Sequence, residues 1–137
     1  MARSVVSPFG SFGLIAMAIT GATLGVSIAL GLHPALGFLA GLNLATFVMY
    51  GVDKSAAVHD RMRVPEDLLH LLALVGGTPA AFLGQVVFRH KTRKRPFQVK
   101  FWMIAVLQIV LIGTAFVWRA RPPAWLPEGV RSLIMGR

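Results

Sequence analysis

Cysteine is absent, which excludes disulfide staples, thiolate nucleophiles and cysteine-based metal sites and leaves the redox compartment unmarked. Charge is scarce. Only 14% of the 137 residues are Asp, Glu, Lys or Arg, where soluble domains carry roughly 25%. A small domain has a large surface to hydrate, so this shortage excludes an ordinary water-soluble fold. Acids are scarcer still: five Asp and Glu stand against fourteen Lys and Arg, leaving few groups for general acid or base work. A glycine-rich phosphate loop, a Ser-His-acid arrangement and the tight His-Glu-x-x-His spacing of zinc enzymes are all missing. An enzyme is therefore the weaker functional class, and no cofactor is expected.

What is present is apolar. Hydrophobic residues make up 55% of the chain and the mean hydropathy is +0.68, so the expected solvent is lipid. A formal charge of +9 suits contact with phosphates, whether of anionic headgroups or of nucleic acid. Between Arg3 and Asp53 lie 49 residues without a formal charge, enough for two spans at about 20 residues per crossing. His33-Pro34 interrupts that run, because proline disfavours helical geometry in the residue before it. Spans are expected near 13–32 and 35–52. A cleavable signal peptide is the competing reading of the first. Its lone Arg3 and the poor cleavage site at Gly31-Leu32-His33 argue for retention. Gly21-x-x-x-Gly25 and Gly37-x-x-x-Gly41 offer small faces for close helix packing, either within the chain or between copies.

A mixed-charge loop is expected from Asp53 to Arg63, then a helix start at Val64-Pro65-Glu66-Asp67, with two acids placed against the positive end of the helix dipole. The apolar run Leu68 to Phe88 has 21 residues, about 31 Å as one rod at 1.5 Å per residue. Its middle holds Gly76-Gly77-Thr78-Pro79, read as a glycine stop, a threonine N-cap and a proline in the next first turn. Each arm would be near 15 Å, reaching about the middle of a hydrocarbon layer roughly 30 Å thick. Such a broken segment suits a re-entrant hairpin sheltered by neighbouring helices. Charge counting favours the same choice. Re-entry puts ten basic residues on one side and four on the other; crossing divides them eight to six. Basic loops tend to stay cytoplasmic. The expected fold is an all-α integral membrane protein of three transmembrane helices plus a re-entrant hairpin at 66–88, with its amino terminus inside. The alternative is four transmembrane helices.

Residues 89–100 form the most polar stretch, six basic residues with no acid. A last span is expected at 101–118, framed by Phe101-Trp102 and Trp118-Arg119 as where a helix meets headgroups. The tail, 119–137, holds an expected interfacial turn over 130–135.

Several segments together resemble a known family. They are Tyr50-Gly51-Val52-Asp53-Lys54-Ser55-Ala56-Ala57, Arg63-Val64-Pro65-Glu66, the run from Leu68 through Gly76-Gly77-Thr78-Pro79-Ala80, and Phe88-Arg89-His90-Lys91-Thr92-Arg93-Lys94, followed by Phe97 and Phe101-Trp102. In order and spacing they are similar to the bacterial membrane-protein family called domain of unknown function 1294, over about residues 47–102. The resemblance implies a bacterial inner-membrane protein and supplies no activity. Members often carry an aromatic residue where this chain has Thr78. Several bear an amino-terminal cold-shock domain, which implies a cytoplasmic amino terminus.

The candidate site is the charge flanking the broken segment. Arg89, His90, Lys91, Arg93, Lys94 and Arg95 form the anion-binding candidate, since arginine offers phosphate a bidentate fork and lysine a point charge. Asp53, Lys54, Arg63, Glu66 and Asp67 are their candidate charge partners, and re-entry would bring the two groups to one membrane face. The bland reading is that these charges only set topology and pair at the interface. Expected partners are anionic membrane lipids or an acidic partner subunit, with homo-oligomers open; the expected role is an accessory or binding protein. The alternatives are an enzyme acting on a lipid or phosphate substrate through His90, Asp53 or Glu66, and a membrane-tethered nucleic-acid binder held by backbone phosphates. The spacing of His59, His70 and His90 is wrong for a metal site. His70 and Gln85 are expected to hydrogen-bond across the hairpin, because buried polar groups in lipid need partners.

Overall fold

The computed structural model describes residues 7–89, 91–121 and 124–135, and every regular element among them is helical. The helices are α1 (Pro8–Ala29), α2 (Pro34–Val58), α3 (Glu66–Leu72), α4 (Thr78–Phe88), α5 (Arg95–Ala120) and α6 (Glu128–Met135), with a π turn, Ala73–Gly77, between α3 and α4. Among the described residues four stretches are long and apolar enough to cross a membrane: Pro8–Ala29, Pro34–Val58, Glu66–Phe88 taken through its break, and Arg95–Ala120. The chain divides into two units, 1–104 and 105–137. The first holds the core around Tyr50, Phe97 and Phe101, each at most 2% exposed. The second holds the later turns of α5 and the short amphipathic α6, which replaces the expected turn at 130–135.

Ends of helices follow from caps, and caps explain most departures from the expected boundaries. Ser7 Oγ accepts from the Gly10 amide at 3.2 Å and Pro8 fills the first turn, so α1 starts five residues before the expected 13. At its other end Gly31 takes φ 72° and Leu32 N donates to Ser27 O at 2.9 Å, closing the helix. His33 Nδ1 then accepts from the Ala35 amide at 3.2 Å and Pro34 opens α2. The expected loop from Asp53 is a correction: α2 runs on through Asp53 and Lys54 to Val58. A charge does not end a helix when its side chain finds a partner. The stop comes at His59 and at Asp60, whose φ is 51°.

Small residues set the packing on both sides of α2. Gly37 and Gly41 lie against Ser27, Thr20 and Thr23 of α1; a Cβ on Gly41 would come within 2.9 Å of the Thr20 backbone. The partner motif behaves otherwise. A Cβ on Gly21 or Gly25 would meet nothing within 4 Å, so among the described residues this motif's face of α1 is left open within the chain. On the opposite side Gly84 of α4 admits Tyr50, whose Cβ would be 2.8 Å from a Cβ added there.

The break in 66–88 is built around Gly76, with φ 136° and ψ 2°, a conformation that side-chain-bearing residues avoid. Gly77 caps α4 and Thr78 is already its first residue, so the expected threonine N-cap is also corrected. Thr78 Oγ1 instead donates to Ala73 O at 2.9 Å. The cap is supplied from across the interface by Asn43 of α2. Its Nδ2 donates to Gly76 O at 3.2 Å, and its Oδ1 accepts from the Ala80 amide at 3.1 Å. One side chain thereby serves an orphan carbonyl and an orphan amide that helix ends must otherwise leave to water.

Candidate functional site: a basic pocket on a buried ion-pair cluster

The fold gathers residues from α2, α3, the α4–α5 connection and α5. Lys91 Nζ stands 2.9 Å from Asp53 Oδ2 and 3.6 Å from Glu66 Oε1. Lys94 also pairs with Glu66. Asp53 is fully buried and the Lys91 side chain is only 10% exposed. Bringing two such charges out of water is costly unless they meet closely, as they do here. The Lys91 ammonium lies 5.0 Å from the centre of the Phe97 ring, adding a cation–π contact to the same group.

Local backbone geometry makes this convergence possible. Arg89 ends α4 in the left-handed conformation at φ 45°, and Lys91 follows at φ 60°. Two such residues within three positions turn the chain sharply between α4 and α5 and aim Lys91 back toward α2. Around Phe97, His70 and Gln85 find partners on α5 rather than on each other, correcting the expected pairing. His70 packs its ring on Phe97 at 4.4 Å, with Nε2 3.3 Å from Phe97 O and Nδ1 2.7 Å from Glu66 O. Both of those oxygens are carbonyl acceptors. Gln98 Nε2 donates to Gln85 Oε1 and, at 3.0 Å, to Lys91 O. The first residues of α5 therefore act as a plug between α3 and α4.

Outside the ion pairs lies an open pocket of about 500 Å³, lined by Val86, Arg89, Lys91, Thr92, Arg93 and Lys94. Four of the six anion-binding candidates thus share one cavity. Arg95 sits at the exposed first position of α5 and is not in its lining. His90 lies outside the described residues. Among the charge partners Asp53 and Glu66 enter the cluster. Lys54 and Arg63 make no ion pair among the described residues, and Asp67 lines a separate pocket with His70 and Lys100. Arg89 and Arg93 have no carboxylate partner among the described residues. Among those residues no three His, Asp or Glu side chains converge as a metal-ligand set.

Two participants escaped sequence reasoning. Asn43 sits inside the long uncharged run, where a single amide changes no periodicity; its only signal is being a polar residue in a segment expected to meet lipid. Gln98 lies within the basic stretch, where its neighbours' charges mask it.

Comparison with known proteins places this geometry in a family. The model described as "Protein of unknown function (DUF1294)" matches residues 43–97. That interval begins at the asparagine capping the break and ends at the phenylalanine beneath Lys91. The chain is 36% identical to the uncharacterized protein YsdA of Bacillus subtilis (strain 168) over 76 residues, covering 56% of this chain and 85% of that relative. No solved structure matches. With most of that relative covered at this identity, the chain belongs to the DUF1294 family.

Proposed function

We propose that this is an integral membrane protein in which α1, α2 and α5 cross the bilayer, α3 and α4 form a re-entrant hairpin, and the basic pocket at the hairpin's mouth holds anionic lipid headgroups. One observation carries the reading. Glu66 at the start of α3 shares Lys91 with Asp53, and Lys91 lies just past the end of α4, so both ends of the apolar segment meet at one cluster. A straight helix over those 23 residues would hold its ends about 33 Å apart. Depth agrees with the reading. The break is fastened to Asn43, ten residues before Asp53 on α2, or about 15 Å along the helix axis and half of a hydrocarbon layer roughly 30 Å thick. Irregular backbone at that level has the shelter it needs, because Asn43 satisfies it.

The pocket joins the two media that a headgroup site must join. Val86 in its lining belongs to the last apolar turn of α4, while Arg89 and Arg93 offer guanidinium groups with no competing carboxylate among the described residues. Each basic residue near an anionic surface contributes about 1 kcal/mol. The positive-inside bias orients the mouth and the amino terminus toward the cytoplasm of the bacterial inner membrane. An accessory role, presenting or sequestering lipid, follows from a site rich in cations and poor in acids.

The test is the amount of anionic phospholipid that co-purifies with the full chain in neutral detergent. The Arg89→Gln/Arg93→Gln double variant is expected to retain at least threefold less than wild type, with Lys54→Gln/Lys100→Gln, which removes the same two charges outside the pocket lining, as the control. Equal retention by all three would remove the proposal.

A further inference from the structure

The charge balance of the same pocket points to a narrower ligand class. Resting on the headgroup reading above, we propose that the pocket selects a phosphomonoester dianion, a terminal phosphate carried on a lipid or free in solution, over the phosphodiester monoanion of ordinary headgroups.

The lining contributes four cations, Arg89, Lys91, Arg93 and Lys94, and the ion-pair cluster behind it contributes two carboxylates, Asp53 and Glu66. Among the described residues two positive charges remain, matching a dianion. The positions of the carboxylates show which cations are available. Lys91 is held by a fully buried Asp53 and is itself nearly enclosed, so drawing it outward would leave a buried charge behind. Lys94 is different: its side chain is 52% exposed, and so is 38% of the Glu66 side chain that it meets. An exposed pair of this kind is worth little, so Lys94 exchanges Glu66 for an incoming anion at small cost. Arg89 and Arg93 have no carboxylate to give up among the described residues.

Oxygen count leads to the same class. An arginine fork engages two oxygens through parallel N–H donors. Two forks and one mobile ammonium can address three unesterified oxygens, where a phosphodiester presents two. A terminal phosphate presents three such oxygens and, with a second pKa near 6, carries close to two charges above neutral pH. Lys91 stays behind as a fixed positive wall, anchored to α2 and α3, so the site is assembled before the ligand arrives.

The experiment offers the full chain, immobilised in neutral detergent at pH 8, mixed micelles containing phosphatidic acid and phosphatidylglycerol at equal formal charge, and quantifies the lipid retained. Wild type is expected to prefer phosphatidic acid at least fivefold, and Lys94→Gln and Arg89→Gln/Arg93→Gln are expected to reduce that preference toward one. A second arm adds inorganic phosphate in competition. Displacement of phosphatidic acid at millimolar phosphate supports the proposal with a free phosphate as ligand source, and retained preference without displacement supports it with a lipid source. Equal retention of the two lipids, still dependent on Arg89 and Arg93, would overturn the dianion proposal and leave the headgroup site standing. Retention independent of Arg89 and Arg93 would overturn both.

Discussion

Lys91 Nζ lies 2.9 Å from Asp53 Oδ2, joining a residue inside α2, sixth from its last, to the turn that leaves α4. The pair is nearly sealed from solvent, so its two members are valuable together and costly apart. Lys91→Met is expected to destabilise the protein by about 3 kcal/mol, because it removes the ammonium that pairs with the buried Asp53 carboxylate. Combining it with Asp53→Leu should recover most of that loss. Thermal unfolding of the purified chain in mild detergent measures both; a double variant no more stable than Lys91→Met alone would contradict the pairing. Lys94→Gln, removing the exposed partner of Glu66, should cost under about 1 kcal/mol in the same assay.

Asn43 holds the break closed through Gly76 O and the Ala80 amide. Asn43→Leu keeps the volume and removes both bonds, leaving two backbone groups unsatisfied, a loss of about 2 kcal/mol or more. Hydrogen–deuterium exchange should accelerate first at the Ala80 amide. Unchanged protection there would show that the cap lies elsewhere.

The glycines divide into those that must stay small and those that need not. Gly84→Ala would put a Cβ 2.8 Å from Tyr50 Cβ, and Gly41→Ala one 2.9 Å from the Thr20 backbone. Each is expected to cost about 1–3 kcal/mol through overpacking. Gly21→Ala and Gly25→Ala enter open space and should be neutral or stabilise by up to about 1 kcal/mol, since alanine restricts the unfolded chain. Comparable losses in all four variants would contradict the packing described.

His70 presents its two ring nitrogens to the carbonyl oxygens of Glu66 and Phe97. His70→Phe preserves the ring contact with Phe97 and deletes both polar contacts. It is expected to cost about 1–2 kcal/mol and to increase exchange in the first turn of α5 more than in α2. An equal increase in both would argue for general loosening instead of a lost clasp.

What the sequence made legible was what composition and punctuation encode. Uncharged length announced the apolar helices, His33-Pro34 marked the first turn, and two glycines before a proline marked the break near residue 76. Charge density singles out 89–100 as the most polar stretch. Partnership was harder to read. An acid such as Asp53 reads as a helix end in sequence, whereas in the fold it pairs with the distant Lys91 and the helix continues through it. The two glycine motifs look alike in one dimension, yet only Gly37 and Gly41 face the neighbouring helix. Asn43 and Gln98 carry no pattern at all, since Asn43 works on backbone more than thirty positions away and Gln98 on Gln85 of a different helix.

The account depends on both ends of the 66–88 segment emerging on one membrane face. Single cysteines at Ser55 and Thr92, both exposed, can be labelled in intact and in inside-out vesicles with a reagent that does not cross the membrane. The account predicts that the two label from the same side. Labelling from opposite sides would contradict it.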